Sequence, residues 1–399
     1  MKKSIFVSMA GLVIMGFAGQ ASGGGLYLYE MGTEDLGLAG AGAAARAQDA
    51  STVFSNPAGM TRLEGDQLTL GAQILYGDLP YHLNNADLEG SDNVVGWLPA
   101  ASSFYSHSIS DALKLGLALY GNFGLSLGFG DDWAGRYLVK DATLMGITLQ
   151  PTIAYRINEM WSVGGGLGIN FGIFSLTRDK LGDGEKTLDD TDLASSGKLG
   201  VMFEPCKYAR LGLTWASKVK YEFDVEANGN LPITGASWTL PITASVDTPQ
   251  QAMLSAVFDL NDKWSLLGNI GWQDWSSFSE LEVTTDRVSK SSSLELQDTW
   301  HGALGTQYKI TKATRLNFGI AYDTSMYKDQ DKTSFTMPSG ASWRFGTGVQ
   351  QQLSEQSSLG LAFEYLLSED ARVAEPALLA GTYDNPQMYF FAVNYSYRF

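Results

Sequence analysis

Residues 387–399 read QMYFFAVNYSYRF. Tyr389, Phe391, Val393, Tyr395, Tyr397 and Phe399 fall on one face, and Met388, Phe390, Ala392, Asn394, Ser396 and Arg398 on the other. A period of two is the signature of a strand. One face is apolar or aromatic to the last residue while the other turns polar. A strand that separates hydrocarbon from a wet lumen needs this asymmetry.

The same alternation recurs upstream. Leu68, Leu70, Ala72, Ile74 and Tyr76 share a face, as do Leu113, Leu115, Leu117 and Leu119, then Leu316, Phe318, Ile320 and Tyr322, then Leu359, Leu361, Phe363 and Tyr365. Short polar turns lie between such runs, at Ser110-Asp111-Ala112, Asn158-Glu159-Met160, Pro205-Cys206-Lys207, Asn261-Asp262-Lys263, Thr311-Lys312-Ala313 and Ser354-Glu355-Gln356. Longer polar stretches separate them, at 77–100, 122–141, 178–195, 226–247, 277–296, 326–340 and 370–386. Short turns alternating with long loops describe an all-β chain, a fourteen-stranded antiparallel transmembrane β-barrel with short turns in the periplasm and long loops outside. Residues 232–246 also alternate weakly and are assigned to a loop; sixteen strands would be the alternative.

The bulk composition agrees. The 399 residues are 44% hydrophobic with 45 Gly and 12% aromatic residues, yet mean hydropathy is only −0.07. The mature chain has no run long enough for a membrane helix. A formal charge of −16 without a basic cluster speaks against nucleic acid. One cysteine, Cys206, excludes an internal disulfide, and three histidines leave little for a metal. No Gly-x-Ser-x-Gly or comparable catalytic set is present, so neither enzyme chemistry nor a cofactor is expected.

Lys2 and Lys3, an apolar stretch from Ile5 to Ala18 and the small residues Gly19 and Ala21 make 1–21 a signal peptide. Residues 22–66 follow, rich in Gly and Ala and lacking alternation. Composition leaves them either a periplasmic tail or a plug. The barrel takes 67–399.

Several segments resemble one family. Gly37-Leu38-Ala39-Gly40-Ala41-Gly42, Asp49-Ala50-Ser51-Thr52-Val53-Phe54-Ser55-Asn56-Pro57-Ala58-Gly59-Met60, Asp131-Asp132-Trp133-Ala134-Gly135-Arg136-Tyr137, Asp274-Trp275-Ser276 and Trp343-Arg344-Phe345-Gly346 are similar to the long-chain fatty acid outer-membrane transporters (FadL-type). The terminal Phe399 likewise resembles the end of Gram-negative outer-membrane barrels. The resemblance implies that 22–66 is an N-terminal hatch in the lumen, carrying an Asn-Pro-Ala motif. It implies localisation in a Gram-negative outer membrane and passive uptake of hydrophobic molecules, with release sideways through a kinked third strand. Long-chain fatty acids are the expected cargo; aromatic or alkane hydrocarbons are the alternative, and a general diffusion porin a weaker one. Expected partners are the hydrophobic small molecule, outer-membrane lipid and lipopolysaccharide, with the protein a monomer.

The residues offer candidates for each step. Gly121, Asn122, Phe123 and Gly124 interrupt the third strand and form either a bend or an ordinary strand end. Asn56, Pro57 and Ala58 fix a hatch corner that the resemblance sets against that bend. Asp49 is placed to pair with a luminal cation. Alternation turns Arg344 inward near the loop end, where it suits a carboxylate; Arg178, closing the fifth strand, is a second cation. Phe123, Leu125, Leu127 and Phe129 continue into the second long loop as an apolar track, either a collecting groove or loop packing.

Overall fold

The computed structural model describes residues 31–180, 184–230, 237–285, 288–293 and 295–399, so the expected signal peptide, 1–21, lies outside it. Fourteen antiparallel strands form one closed barrel. They are β1 (Gln67–Asp78), β2 (Gly96–Ser108), β3 (Leu113–Gly128), β4 (Asp141–Arg156), β5 (Trp161–Asp179), β6 (Glu185–Cys206) and β7 (Ala209–Ala216). They continue as β8 (Gln251–Asp259), β9 (Trp264–Gln273), β10 (Thr299–Lys309), β11 (Thr314–Asp323), β12 (Ser342–Gln352), β13 (Ser357–Ser368) and β14 (Gln387–Arg398). The ring closes where β14 pairs with β1, from Gln67 opposite Arg398 to Asp78 opposite Gln387.

The two faces sort as the alternation requires. Leu70, Leu117, Ile153, Leu213, Leu304 and Phe391 point outward and are exposed, whereas Thr69, Gln150, Asn170, Asn317 and Asn394 point inward and are buried. Aromatic pairs ring both rims. Trp161 stacks on Phe203 at 4.3 Å and Trp264 on Tyr308 at 4.4 Å at the short-turn end. Tyr76 meets Trp97 at 4.8 Å and Tyr322 meets Trp343 at 4.9 Å at the other. Such girdles anchor a barrel at the two membrane interfaces.

Two loop assignments need correction. Residues 178–195 are mostly wall: β5 and β6 run on as one hairpin to Asp179 opposite Glu185. Above the membrane both faces are wet, so alternation no longer marks the strand. Ser237–Asp247 is a strand paired with Lys220–Asn230, but it joins a separate four-stranded sheet outside the barrel, so the barrel count stays at fourteen. A three-stranded sheet (Tyr81–Leu83, Ala371–Val373, Gly381–Tyr383) closes over other loops, with Tyr81 stacked on Tyr383 at 4.5 Å.

The hatch is threaded by α1 (Thr33–Gly37), α2 (Ala43–Arg46), α3 (Thr52–Ser55) and a 3₁₀ turn, Pro57–Arg62. Its small side chains let backbone approach the wall closely, and the wall answers with glycine. A Cβ on Gly212 of β7 would collide with the Ala44 carbonyl, and one on Gly319 of β11 with the Leu38 carbonyl. Polar wall groups complete the seat: Asn269 Nδ2 donates to Gly40 O at 3.1 Å, and Arg210 Nε to Ala45 O at 3.3 Å. Within the hatch, Arg46 pairs with Glu34 at 3.2 Å and with Asp35, and Arg315 of β11 reaches Glu34.

Gly319→Val is therefore expected to displace the hatch at Leu38 while the barrel still folds. Single-channel conductance in planar bilayers should rise above the parent level; an unchanged conductance would mean that the seat tolerates the side chain.

Candidate functional site

The third strand departs from its neighbours as the glycines suggest. β3 pairs with β2 only from Lys114 opposite Ser108 to Leu119 opposite Ser103. Beyond that, Gly96–Ser102 pair with β1 alone, and Phe123–Gly128 pair with β4 alone. The β3–β4 register shifts between Tyr120 and Phe123. Gly124 has φ +122°, and a Cβ there would strike the Leu144 carbonyl. The shift also exchanges faces. Before it Ala118 and Tyr120 point inward; after it Phe123 and Leu127 do. Gly128 N donates to Val94 O at 2.8 Å and closes the upper end. The unladdered seam is bordered by Ala100, Ser102 and Gly121 from the wall and by Met31 and Gly32 from the hatch. The Asn122 and Leu125 side chains lie outside the described part.

Behind the bend is a small polar-lined space of about 30 Å³, bordered by Tyr120, Phe123, Gln150, Asn170, Lys198 and Tyr221 among others. Phe123 lies parallel to Tyr221 at 6.3 Å. Lys198 of β6 contributes the cation. Its Nζ sits 4.1 Å from the centroid of the Phe54 ring; among the described residues it makes no direct ion pair, and the Asp35 carboxylate acts on it only at longer range. Sequence reasoning passed over this lysine, although the outward set Leu199 and Val201 places it inward by alternation.

Arg344 does face the lumen, but its charge is already matched. It is 1% exposed; its Nε donates to Asp323 Oδ2 at 2.7 Å and its Nη1 to Glu364 Oε1 at 3.3 Å. Asp323 Oδ1 is also 2.8 Å from His301 Nδ1. Arg178 stands at the loop end of β5, where Nη1 lies 3.5 Å from Tyr137 O. Beside it, Lys140 bonds Asp131 at 2.6 Å, and that bond holds the Asp131 carboxyl below its usual range.

In the hatch, Asn56 Nδ2 donates to Ala44 O at 2.6 Å and to Val201 O of β6 at 3.1 Å, while its Oδ1 accepts from Ala58 N at 3.0 Å. Pro57 begins the 3₁₀ turn, where its missing N–H costs nothing. The Asn-Pro-Ala corner thus packs on β5 and β6, against Gly164 and Gly200, and not on the bend. Phe54 of the hatch meets Tyr120 at the base of the bend, with ring centroids 4.7 Å apart. Asp49 makes no direct ion pair among the described residues; its Oδ1 accepts from Ser51 N at 2.8 Å, and its charge acts on Arg46 at longer range. Leu127 and Phe129 are 1% and 3% exposed, so the expected surface track is closed into the loop core, where Phe129 stacks on Trp133 at 4.4 Å.

A closed fourteen-stranded barrel with aromatic rims, a luminal plug and an inner pocket is an outer-membrane channel for hydrophobic molecules. The chain belongs to the family described as "Outer membrane protein transport protein (OMPP1/FadL/TodX)", whose profile matches residues 14–399. It is 24% identical to the long-chain fatty acid transport protein of Salmonella typhi, over 100% of each chain. It is 25% identical to outer membrane protein P1 of Haemophilus influenzae, over 90% of this chain and 89% of that one. Among solved structures, a Pseudomonas aeruginosa FadL homologue superimposes with TM-score 0.81 at 18% identity, covering 94% of this chain and 100% of the other. The Pseudomonas putida toluene transporter TodX gives 0.71 at 14%, covering 92% and 98%.

Removing Arg344 should strand two buried carboxylates. Arg344→Met is expected to destabilise the barrel by about 3–5 kcal/mol, read as a lowered unfolding midpoint in detergent. A midpoint equal to the parent's would show that the cluster is not a structural lock.

Proposed function

We propose that this protein takes up long-chain fatty acids, binds their carboxylate through Lys198 and releases them sideways through the seam between β2 and β3. The observation that carries the reading is the cation itself. Lys198 faces an inner pocket with an aromatic ring as its direct contact and no carboxylate in salt-bridge reach among the described residues, and an incoming carboxylate gives it a charge-assisted bond. A neutral hydrocarbon has nothing to offer that ammonium. Relatives named as long-chain fatty acid transport proteins, matched over their full length, support the same cargo.

Lateral release follows from where the cargo is soluble. Each buried methylene favours lipid over water by ~0.8 kcal/mol, so an acyl chain gains by entering the bilayer directly. On this reading the seam beside Gly121 joins the pocket to the lipid, while the hatch closes the lumen below. Transfer down this gradient requires no energy source.

Two outcomes test the reading. Lys198→Met should weaken oleate binding to the purified barrel by about ten- to a hundredfold, given ~1.5–3 kcal/mol for a charged hydrogen bond, and leave hexadecane binding unchanged. An equal loss for both ligands would remove Lys198 from the head-group site. Gly124→Val cannot keep its φ beside Leu144; it should block uptake by cells while oleate still binds the purified protein. Undiminished uptake would exclude the seam as the exit.

A further inference from the structure

We infer that Phe54 is a positioning residue that couples capture of a carboxylate at Lys198 to the bend in β3. This deepens the head-group reading above and rests on it.

The Phe54 ring lies between the cation and the bend. Its face carries Lys198 Nζ at 4.1 Å, and the ring also meets Tyr120 edge-on at 4.7 Å and 66°. Tyr120 is the last residue of β3 in register with β4 before the shift. Tyr120 Oη donates to Gln150 Oε1 at 2.8 Å, and Gln150 Nε2 donates to Val53 O at 3.0 Å. The hatch therefore holds the base of the bend twice, through the Phe54 ring and through the backbone of the residue before it. Phe54 sits on α3, whose C-cap is Asn56, so its backbone is fixed by the Asn56 bonds to Ala44 and Val201. Only its side chain has to respond.

An ammonium over a ring face is held by the ring quadrupole, and a carboxylate attracts it more strongly. Capture of a fatty-acid head group draws Lys198 off the ring and removes one of the restraints on Phe54. The ring then shifts against Tyr120, and the bend beside the seam loosens. A neutral hydrocarbon leaves the cation where it is and the bend at rest. The coupling is reciprocal, as any linkage must be: whatever frees Lys198 from Phe54 in advance strengthens carboxylate binding and uncouples it from the bend.

The test uses the full barrel in detergent with Cys206→Ser and nitroxide labels at positions 101 and 126, either side of the seam. In the parent, oleate is expected to change the inter-label distance and hexadecane to leave it unaltered. Phe54→Leu should bind oleate about three- to tenfold tighter and lose the distance change; Phe54→Tyr, which keeps a ring face, should behave as the parent. In a Lys198→Met background, Phe54→Leu should have no further effect on oleate. Phe54→Met replaces Phe54→Leu if the latter does not fold. Oleate affinity within twofold of the parent in Phe54→Leu, with the distance change intact, overturns the coupling. If Lys198→Met leaves oleate affinity unaltered, the head-group assignment itself fails. If Lys198→Met weakens oleate but Phe54→Leu is silent, only the coupling fails.

Discussion

Hydrocarbon cannot hydrogen-bond, so a chain that crosses it must pair its backbone groups internally. A sheet meets that demand only by closing on itself, and here closure is made by the last strand lying along the first. The rest of the architecture follows. A closed wall has an inside; an inside wide enough to matter would leak; so the lumen carries a hatch whose own backbone groups are satisfied by wall side chains such as Asn269 and Arg210. The ladder between β2 and β3 stops at Ser103 opposite Leu119, leaving a seam above. The sequence accommodates it. Pro99, within the unladdered part of β2, has no N–H to leave unpaired, and Gly124 supplies a backbone angle that a side chain would forbid.

Alternation was enough to read the barrel because lipid and lumen impose opposite demands on adjacent residues. It failed where the two faces met the same solvent. The upper hairpin of β5 and β6 is wet on both sides and reads as a loop; Ser237–Asp247 pairs beyond the membrane and reads only weakly as a strand. Parity alone turned Arg344 inward. Its neutralisation was also within reach, because Asp323 and Glu364 fall on the inward sets of the two flanking strands. Lys198 was legible by the same rule. The exchange of faces between Tyr120 and Phe123 was not, since a register shift is a property of a strand pair and leaves no periodic mark. Phe54 was equally hidden: the hatch has no period, and its contacts come from strands far away in sequence.

Two kinds of luminal cation emerge from this. Arg344, Arg315 and Arg46 each face carboxylates at short range and fasten wall to wall, wall to hatch or hatch to itself. Their charges have partners already, and a ligand would have to displace a carboxylate to reach them. Lys198 faces a ring, a weaker and more easily displaced partner. The contrast is one of availability and not of charge. Facing inward near the loop end does not by itself separate the two; what favours Lys198 in the proposed reading is that it has least to lose.

The same reasoning bears on the route. Below the pocket the hatch is tied to the short-turn end of the wall by a series of polar contacts. Thr61 Oγ1 donates to Ser162 Oγ at 2.8 Å, Lys114 Nζ to Leu63 O at 2.9 Å, Arg62 pairs with Glu204, and Arg156 donates to Thr61 O. A path straight down would break several of these together and deliver an acyl chain into water, where every methylene is penalised. A path sideways crosses a seam that is already without a ladder and ends in a solvent as apolar as the cargo. For the proposed lateral route, both the bonds to be broken and the destination favour the wall over the floor: a hatch that keeps its polar ties closes the aqueous path and leaves the unladdered seam as the way out.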